Sequence, residues 1–330
     1  MKRVLTGIRP TGSLHLGHYV GALKQWLEIQ DSEEYECFFL IADIQALTTH
    51  SEKPDLLKKS VREVVLDWLS VGLDPTHSNV NFVLQSQVLE RHALSNLFMM
   101  IAKYSEVMRN PTLKTELDMQ ENATMGFMAY PVDQIADVYM VNPVPAMKED
   151  QILVPVGADQ VPHLEYARDL AIRFNNKYGR MFIPCEPLVG DIGRLVGTDG
   201  QAKMGKSTNN AIFLNDSQSV IRKKVMSMYS DPNRQNSPAL LYHQAFGSDK
   251  AKTDLLVKNY QEGVIGDKQL KEALLEELEK FLTPIRIRRA EYEEENLEVI
   301  LERGTGYAQT ECRKVVSLMM RHMKLGYPEL

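Results

Sequence analysis

At 330 residues, with 44% hydrophobic and 25% charged side chains, the chain has the composition of an ordinary soluble globular protein, long enough for two domains and a substantial core. A net charge of -6 argues against a bulk electrostatic grip on polyanions, so any nucleic acid must be met by a local basic surface. The opening Met1-Lys2-Arg3-Val4-Leu5-Thr6-Gly7 reaches a glycine too soon for a signal peptide, and no apolar run approaches the ~18 residues of a membrane span, so a cytoplasmic location with no membrane partner is expected. Cys37, Cys185 and Cys312 are widely separated and odd in number, which points to reduced, structural thiols.

Val4 and Leu5 read as the end of a buried strand, Gly7, Pro10 and Gly12 as a tight turn, and Leu16 to Leu27 as a helix. His15 and His18 then stand at a helix N-terminus, where unpaired N–H groups and the helix dipole favour an anion. Three apart, they face the same side and can both donate to one phosphate. No third ligand follows locally, so no metal site is expected. Cys37 to Asp43 is an apolar run ending in a carboxylate, suited to a buried parallel strand, and Val80 to Leu84 supplies another after a helix stopped at Gly72-Leu73-Asp74-Pro75. Such alternation predicts an α/β fold with a doubly wound, Rossmann-like parallel sheet.

Residues 89 to 110 form a Met-rich helical stretch, read first as a buried helix and alternatively as a subunit interface. From Met125 to Met140 an apolar helix opening on Pro131 carries Asp133, Gln134 and Asp137. A carboxylate in such company either caps internal structure or waits for a ligand. A strand at Gln151 to Val156 leads into the polar Gly157-Ala158-Asp159-Gln160-Val161-Pro162-His163, at the kind of junction where open α/β sheets bind ligands. Lys203-Met204-Gly205-Lys206-Ser207 looks mobile and anion-seeking. Beyond about residue 216 the pattern turns helical, with an amphipathic run from Asp267 to Leu282, a basic segment at Arg286, Arg288 and Arg289 that reads as a solvated helix face or alternatively as a nucleic-acid contact, and a last helix from Thr310 to Met323 packing back on the body.

Leu14-His15-Leu16-Gly17-His18 and Lys203-Met204-Gly205-Lys206-Ser207, about 190 residues apart, resemble the HIGH and KMSKS signatures of class I aminoacyl-tRNA synthetases. Within that class, Thr6 to Gly12, the Tyr130-Pro131 to Asp137 helix and Val156 to Glu165 resemble bacterial tryptophanyl-tRNA synthetases, through nearly the whole chain. The resemblance implies a catalytic domain at 1–216, with a helical insertion near 89–125, and a helical anticodon-binding domain at 217–330. It implies ATP with Mg²⁺, L-tryptophan and tRNA(Trp) as partners, and a homodimer formed through the Met-rich region.

By the same resemblance, His15, His18, Lys203 and Lys206 are the catalytic set. Arg9, Thr11, Gly17, Gly157, Asp159, Met204 and Ser207 would contact ATP, and Tyr130, Gln134, Asp137 and Gln160 tryptophan, with Asp137 accepting the indole N–H. Arg9, Gln45 and Gly205 depart from the common bacterial pattern, which has glutamine, histidine and serine there, and resemble a divergent second type. A tyrosyl-tRNA synthetase and a non-charging tryptophan-binding paralogue are the alternatives.

Overall fold

The computed structural model describes residues 2–118, 122–190, 195–201, 204–206 and 208–325. Five apolar segments form one parallel sheet: β1 (Lys2–Ile8), β2 (Glu36–Ile41), β3 (Val80–Leu84), β4 (Gln151–Val156) and β5 (Glu186–Val189), in the order β3-β2-β1-β4-β5. This is the expected doubly wound order, with β1 central. β1, β2 and β3 are buried on both faces over most of their length and read as continuous apolar runs, whereas the edge strand β5 is partly exposed. Ile8, Ile41 and Leu84 lie level in the ladder, so three chains leave the sheet at one edge. Close strand packing explains Gly7: a Cβ there would stand 2.5 Å from the Leu40 carbonyl oxygen.

Helices cover both faces. After β1 come α1 (Leu16–His18), a π turn (Tyr19–Leu23) and α2 (Lys24–Asp31), so the single helix expected from Leu16 to Leu27 is interrupted by a wider turn and runs four residues further. Asp43 does not end β2 but opens α3 (Asp43–His50), where its carboxylate accepts from the Ile44 and Ser86 N–H groups at 3.0 and 2.9 Å. α4 (Pro54–Val71) ends as expected at Gly72, whose left-handed φ of 111° a side chain would disfavour. On this face Trp26, Phe39, Trp68 and Phe82 pack together, with ring centroids 5.1 to 6.3 Å apart.

The Met-rich stretch is two short helices, α5 (Glu90–Met99) and α6 (Tyr104–Val107), and α7 (Pro111–Leu117) follows it. Pro111 cannot continue a helix, and Asn110 caps the next one by accepting from the Thr112 and Leu113 N–H groups. Met99, Met100 and Tyr104 are exposed, so the stretch is not a buried helix throughout. α8 (Met125–Tyr139) starts at the Thr124 cap, not at Pro131, which lies inside it. The missing Pro131 N–H is tolerated because this helix is held by burial: Phe127, Tyr130, Val132, Ile135, Ala136, Val138 and Tyr139 all face the core.

β4 is followed by a 3₁₀ turn (Ala158–Gln160) and α9 (Val161–Tyr178), then β5. The C-terminal third is helical: α10 (Gln218–Met226), α11 (Pro238–Phe246), α12 (Lys250–Gln261), α13 (Asp267–Tyr292) and α14 (Leu297–His322). α13 runs ten residues past the expected end at Leu282, carrying Pro284 in its interior. α14 begins thirteen residues before the expected start at Thr310 and lies across β3, where Thr305 Oγ1 accepts the Leu84 N–H at 3.0 Å. Buried Arg3 joins β1 to α14 through Glu36 at 2.6 Å and Glu311 at 2.7 Å. The three cysteines are free and buried, and burial pushes the Cys37 and Cys312 thiols up to about 12.

Candidate functional site

At the C-terminal edge of β1 a cavity of about 380 Å³ opens between the sheet and α8. That volume is in the range of small-molecule sites, and the end of a central strand is where open α/β sheets hold ligands. Arg9, Tyr130, Gln134, Asp137, Gly157 and Gln160, six of the expected contact residues, line it together with Gln25, Gln45, Thr48 and Thr49. Gln45, one of the three departures, therefore stands directly on this space.

Asp137 is buried, one turn further along α8 than Asp133. Gln85 Nε2 donates to both Asp137 oxygens at 2.9 Å, and Arg91 Nε donates to Oδ1. Arg91 also donates to the Asp133 carboxylate and to the Asp133 carbonyl at 3.0 Å. Burial raises the Asp137 carboxyl, and the Arg91 guanidinium is the strongest influence opposing it. Gln134 brings a second acceptor, Oε1, which is buried without a hydrogen-bond partner. Tyr130 donates its hydroxyl to Glu116 at 2.6 Å and stands 3.3 Å from His163 Nε2, whose ring is pushed down to about 4 by burial and is therefore neutral. Gln160 Nε2 reaches Asp159 at 3.5 Å, and Asp159 itself is exposed at the start of the 3₁₀ turn.

A second group forms beside the same strand end. His15 caps α1, and its ring lies 3.8 Å from the His18 ring, centroid to centroid. His18 Nδ1 accepts the His15 backbone N–H at 3.1 Å, so the proton of a neutral His18 ring sits on Nε2, where it can be donated outward. Gly17 N–H points at the Met204 sulfur at 3.3 Å, and a Cβ on Gly17 would approach His15 Nδ1 to 3.0 Å. Lys206 Nζ donates to the Gly12 carbonyl at 2.6 Å, which brings the second lysine of the expected loop onto the histidine turn. Burial pulls the Lys206 amine down to about 8, against the Asp67 charge. Thr11 donates its backbone N–H to the Arg9 carbonyl at 2.9 Å, tightening the turn between the two groups. Lys203 and Ser207 lie outside the described residues.

The turn is held from behind by groups that had no signal in the local pattern. Asp67 of α4 accepts the Leu14 N–H at 2.6 Å, and Glu63 accepts the Ser13 hydroxyl at 3.0 Å. Both carboxylates are bridged by Arg289 of α13, at 2.7 and 2.6 Å. Burial pushes the Asp67 carboxyl up to about 7, opposed by the Leu14 N–H and by Arg289. The basic segment expected to face nucleic acid is thus turned inward: Arg289 is buried, Arg288 Nε donates to the Ser70 carbonyl at 2.7 Å, and Arg286 pairs with Glu279. The continuation of α13 past Pro284 carries Arg288 and Arg289 onto α4. Arg91 was equally silent, because it stands between Glu90 and His92, where the local pattern reads as a polar helix face.

Residues 1–283 match the family described as tRNA synthetases class I (W and Y). The chain belongs to the tryptophanyl-tRNA synthetase family of class I enzymes. The synthetase is 41% identical over 344 residues to the tryptophan–tRNA ligase of Streptococcus mutans, with 98% of each chain covered, and 41% identical over 324 residues to that of Chlamydia caviae, covering 92% and 90%. A tryptophanyl-tRNA synthetase from Campylobacter jejuni, solved with ADP and tryptophan, superposes with a TM-score of 0.85 at 30% identity, over 98% of this chain and 100% of the other.

Proposed function

We propose that the synthetase activates L-tryptophan with ATP and transfers it to tRNA(Trp), with the cavity under α8 as the amino-acid site and the histidine turn as the phosphate site. What supports this is one juxtaposition: a cavity with the buried Asp137 carboxylate beside a turn bearing His15, His18 and Lys206, both set at the end of β1. The tryptophan carboxylate attacks the α-phosphorus of ATP and pyrophosphate leaves. The 3′-terminal ribose hydroxyl of tRNA then attacks the acyl carbon, and AMP leaves.

The chemistry is electrostatic. His18 Nε2 and the His15 ring stabilise the charge that develops on the α-phosphate, each contact being worth about 3–4 kcal/mol in the transition state by analogy with an oxyanion donor. Lys206, with Lys203, neutralises the departing pyrophosphate. Mg²⁺ would enter on the ATP phosphates as part of the substrate, adding positive charge against the departing pyrophosphate. Arg9, Thr11, Gly17, Gly157, Asp159, Met204 and Ser207 complete the nucleotide contacts, and Tyr130, Gln134, Asp137 and Gln160 those to tryptophan.

Residues 1–216 serve as the catalytic domain and 217–330 as the anticodon-binding domain. With Arg286, Arg288 and Arg289 engaged internally, the exposed Arg222, Lys223 and Lys250 are the better tRNA contacts. Exposed Met99, Met100, Tyr104 and Met125 support a homodimer through the Met-rich region. The described residues include no helix long and apolar enough to cross a membrane, and a cytoplasmic location goes with this function. The test is pyrophosphate exchange into ATP by the purified protein. Exchange is expected with tryptophan, and exchange with tyrosine alone, or with no amino acid, sinks the assignment.

A further inference from the structure

Arg91 has no place in the chemistry above, yet it is wholly buried and binds the buried carboxylate of Asp137, which lines the cavity. It approaches Asp137 from α5, where it also holds Asp133. Gln85 is fixed by the N–H groups of Ile44 and Gln45, which donate to its Oε1 at 3.0 and 3.1 Å, so its amide nitrogen must face Asp137. Among the described residues Oδ1 of Asp137 therefore meets two donors, from Arg91 and Gln85, while Oδ2 meets only the Gln85 amide. Among the described residues every hydrogen-bond partner of the Asp137 carboxylate donates. A proton on its carboxyl has nowhere to point among them and would sit on Oδ2, making a donor of the atom best placed to accept from the cavity. The other charged or titratable groups around Asp137 are Asp133, which shares the same guanidinium, and the Cys312 thiol of α14, which is neutral.

We propose that Arg91 is a specificity-positioning residue, which holds Asp137 as a carboxylate and commits Oδ1, so that Oδ2 is kept as an acceptor for a ring N–H. This rests on the reading of the cavity as the tryptophan site. Arg91 does not touch the amino acid and acts through Asp137. The cavity then recognises tryptophan by a donor–acceptor match that a protonated Asp137 would turn into donor against donor.

The test compares the native enzyme with Arg91→Gln, which removes the charge and keeps a donor, and Arg91→Lys, which restores the charge. Pyrophosphate exchange is measured between about pH 6 and pH 8 with tryptophan and with 3-benzothienylalanine, in which sulfur replaces the ring N–H. In the native enzyme the preference for tryptophan, as a ratio of kcat/KM, stays level across this range. In Arg91→Gln the preference falls by about tenfold toward pH 6, through KM for tryptophan, with KM for ATP unchanged, and Arg91→Lys recovers most of it. A loss of packing alone lowers both amino acids alike and leaves the ratio unchanged, and that result overturns the role.

Should Arg91→Gln fail to fold, the native protein decides. Carboxyl-labelled aspartate is followed by ¹³C NMR, and the Asp137 signal is assigned by its disappearance in Asp137→Asn. A signal that is level across the range supports the proposal, and one that titrates there overturns it. Native protein lacking tryptophan-dependent exchange overturns the functional reading and the proposal together. Native exchange with an unchanged ratio in Arg91→Gln overturns the Arg91 role alone.

Discussion

Removing the Arg289 side chain, as in Arg289→Met, takes away the cation that bridges Asp67 and Glu63 behind the histidine turn. Asp67 is the expensive partner, because its carboxyl is almost fully buried and is already pushed up to about 7 by burial. Breaking a buried pair by removing one member costs about 3–5 kcal/mol. Half-exposed Glu63 adds little, since solvent screens it. With an unfolding entropy of about 2.1 cal/mol/K per residue, a chain of 330 residues loses about 4–7 °C in Tm. The turn is affected as well, because Asp67 takes up a proton in place of the lost cation and its hold on the Leu14 N–H weakens. A small displacement of His15 is expected to lower kcat in pyrophosphate exchange by about tenfold or more, with KM for tryptophan nearly unchanged. Scanning calorimetry and exchange kinetics read the two effects. Adding Asp67→Asn to the variant is expected to return a good part of the stability, since no carboxylate is then buried unpaired. An Arg289→Met protein that melts within about 1 °C of native and exchanges at the native rate refutes the idea that α13 braces the turn.

Lys206 gives a pH limb. Its amine is pulled down to about 8, so above that pH the free enzyme loses the cation it offers to phosphate, and kcat/KM for ATP is expected to fall about tenfold per pH unit. Lys206→Arg stays charged and is expected to move the limb out of range, whereas an identical limb in that variant assigns it elsewhere. Stability runs the other way: the folded value lies below the unfolded 10.5, the unfolded chain binds more protons between the two, and so stability rises with pH from about 8 toward 10.5. In α14, a Cβ added at Gly304 would stand 2.3 Å from the Phe82 carbonyl oxygen, so Gly304→Ala must push the helix off β3. A loss of about 1–3 kcal/mol is expected by chemical denaturation, and a native midpoint would show that α14 yields freely.

Much of the catalytic half was legible because its signals are local. The apolar runs at Cys37, Val80 and Gln151 became strands at those positions, and their alternation with helices gave the parallel order. The histidine turn was readable because Gly7, Pro10 and Gly12 punctuate the chain just before it, and Gly12 does adopt a left-handed φ of 114°. Helix limits were less legible. Pro131 and Pro284 look like boundaries, but both sit inside helices that tertiary burial carries through. The Met-rich stretch has helical spacing throughout, so its break between Met99 and Tyr104 leaves no local sign, whereas Asn110 and Pro111 mark its end.

By itself the sequence determined the first four strands, the chemistry available at their ends and, through the paired signatures, the family, but it did not show the short edge strand β5. Those features depend on residue type and short spacing, which survive without coordinates. Only the tertiary structure decided which charges face the ligand and which face each other. Arg91 and Asp137 are 46 residues apart, and Arg289 and Asp67 are 222 apart, so no periodicity links them. A basic segment that reads as a nucleic-acid contact becomes an internal brace because α13 lies on α4. The buried Asp137 carboxylate finds its cation because Arg91 reaches it from another helix. The reason is electrostatic: a buried charge is stable only with a partner, and a partner is a matter of distance in space, which the linear chain does not carry.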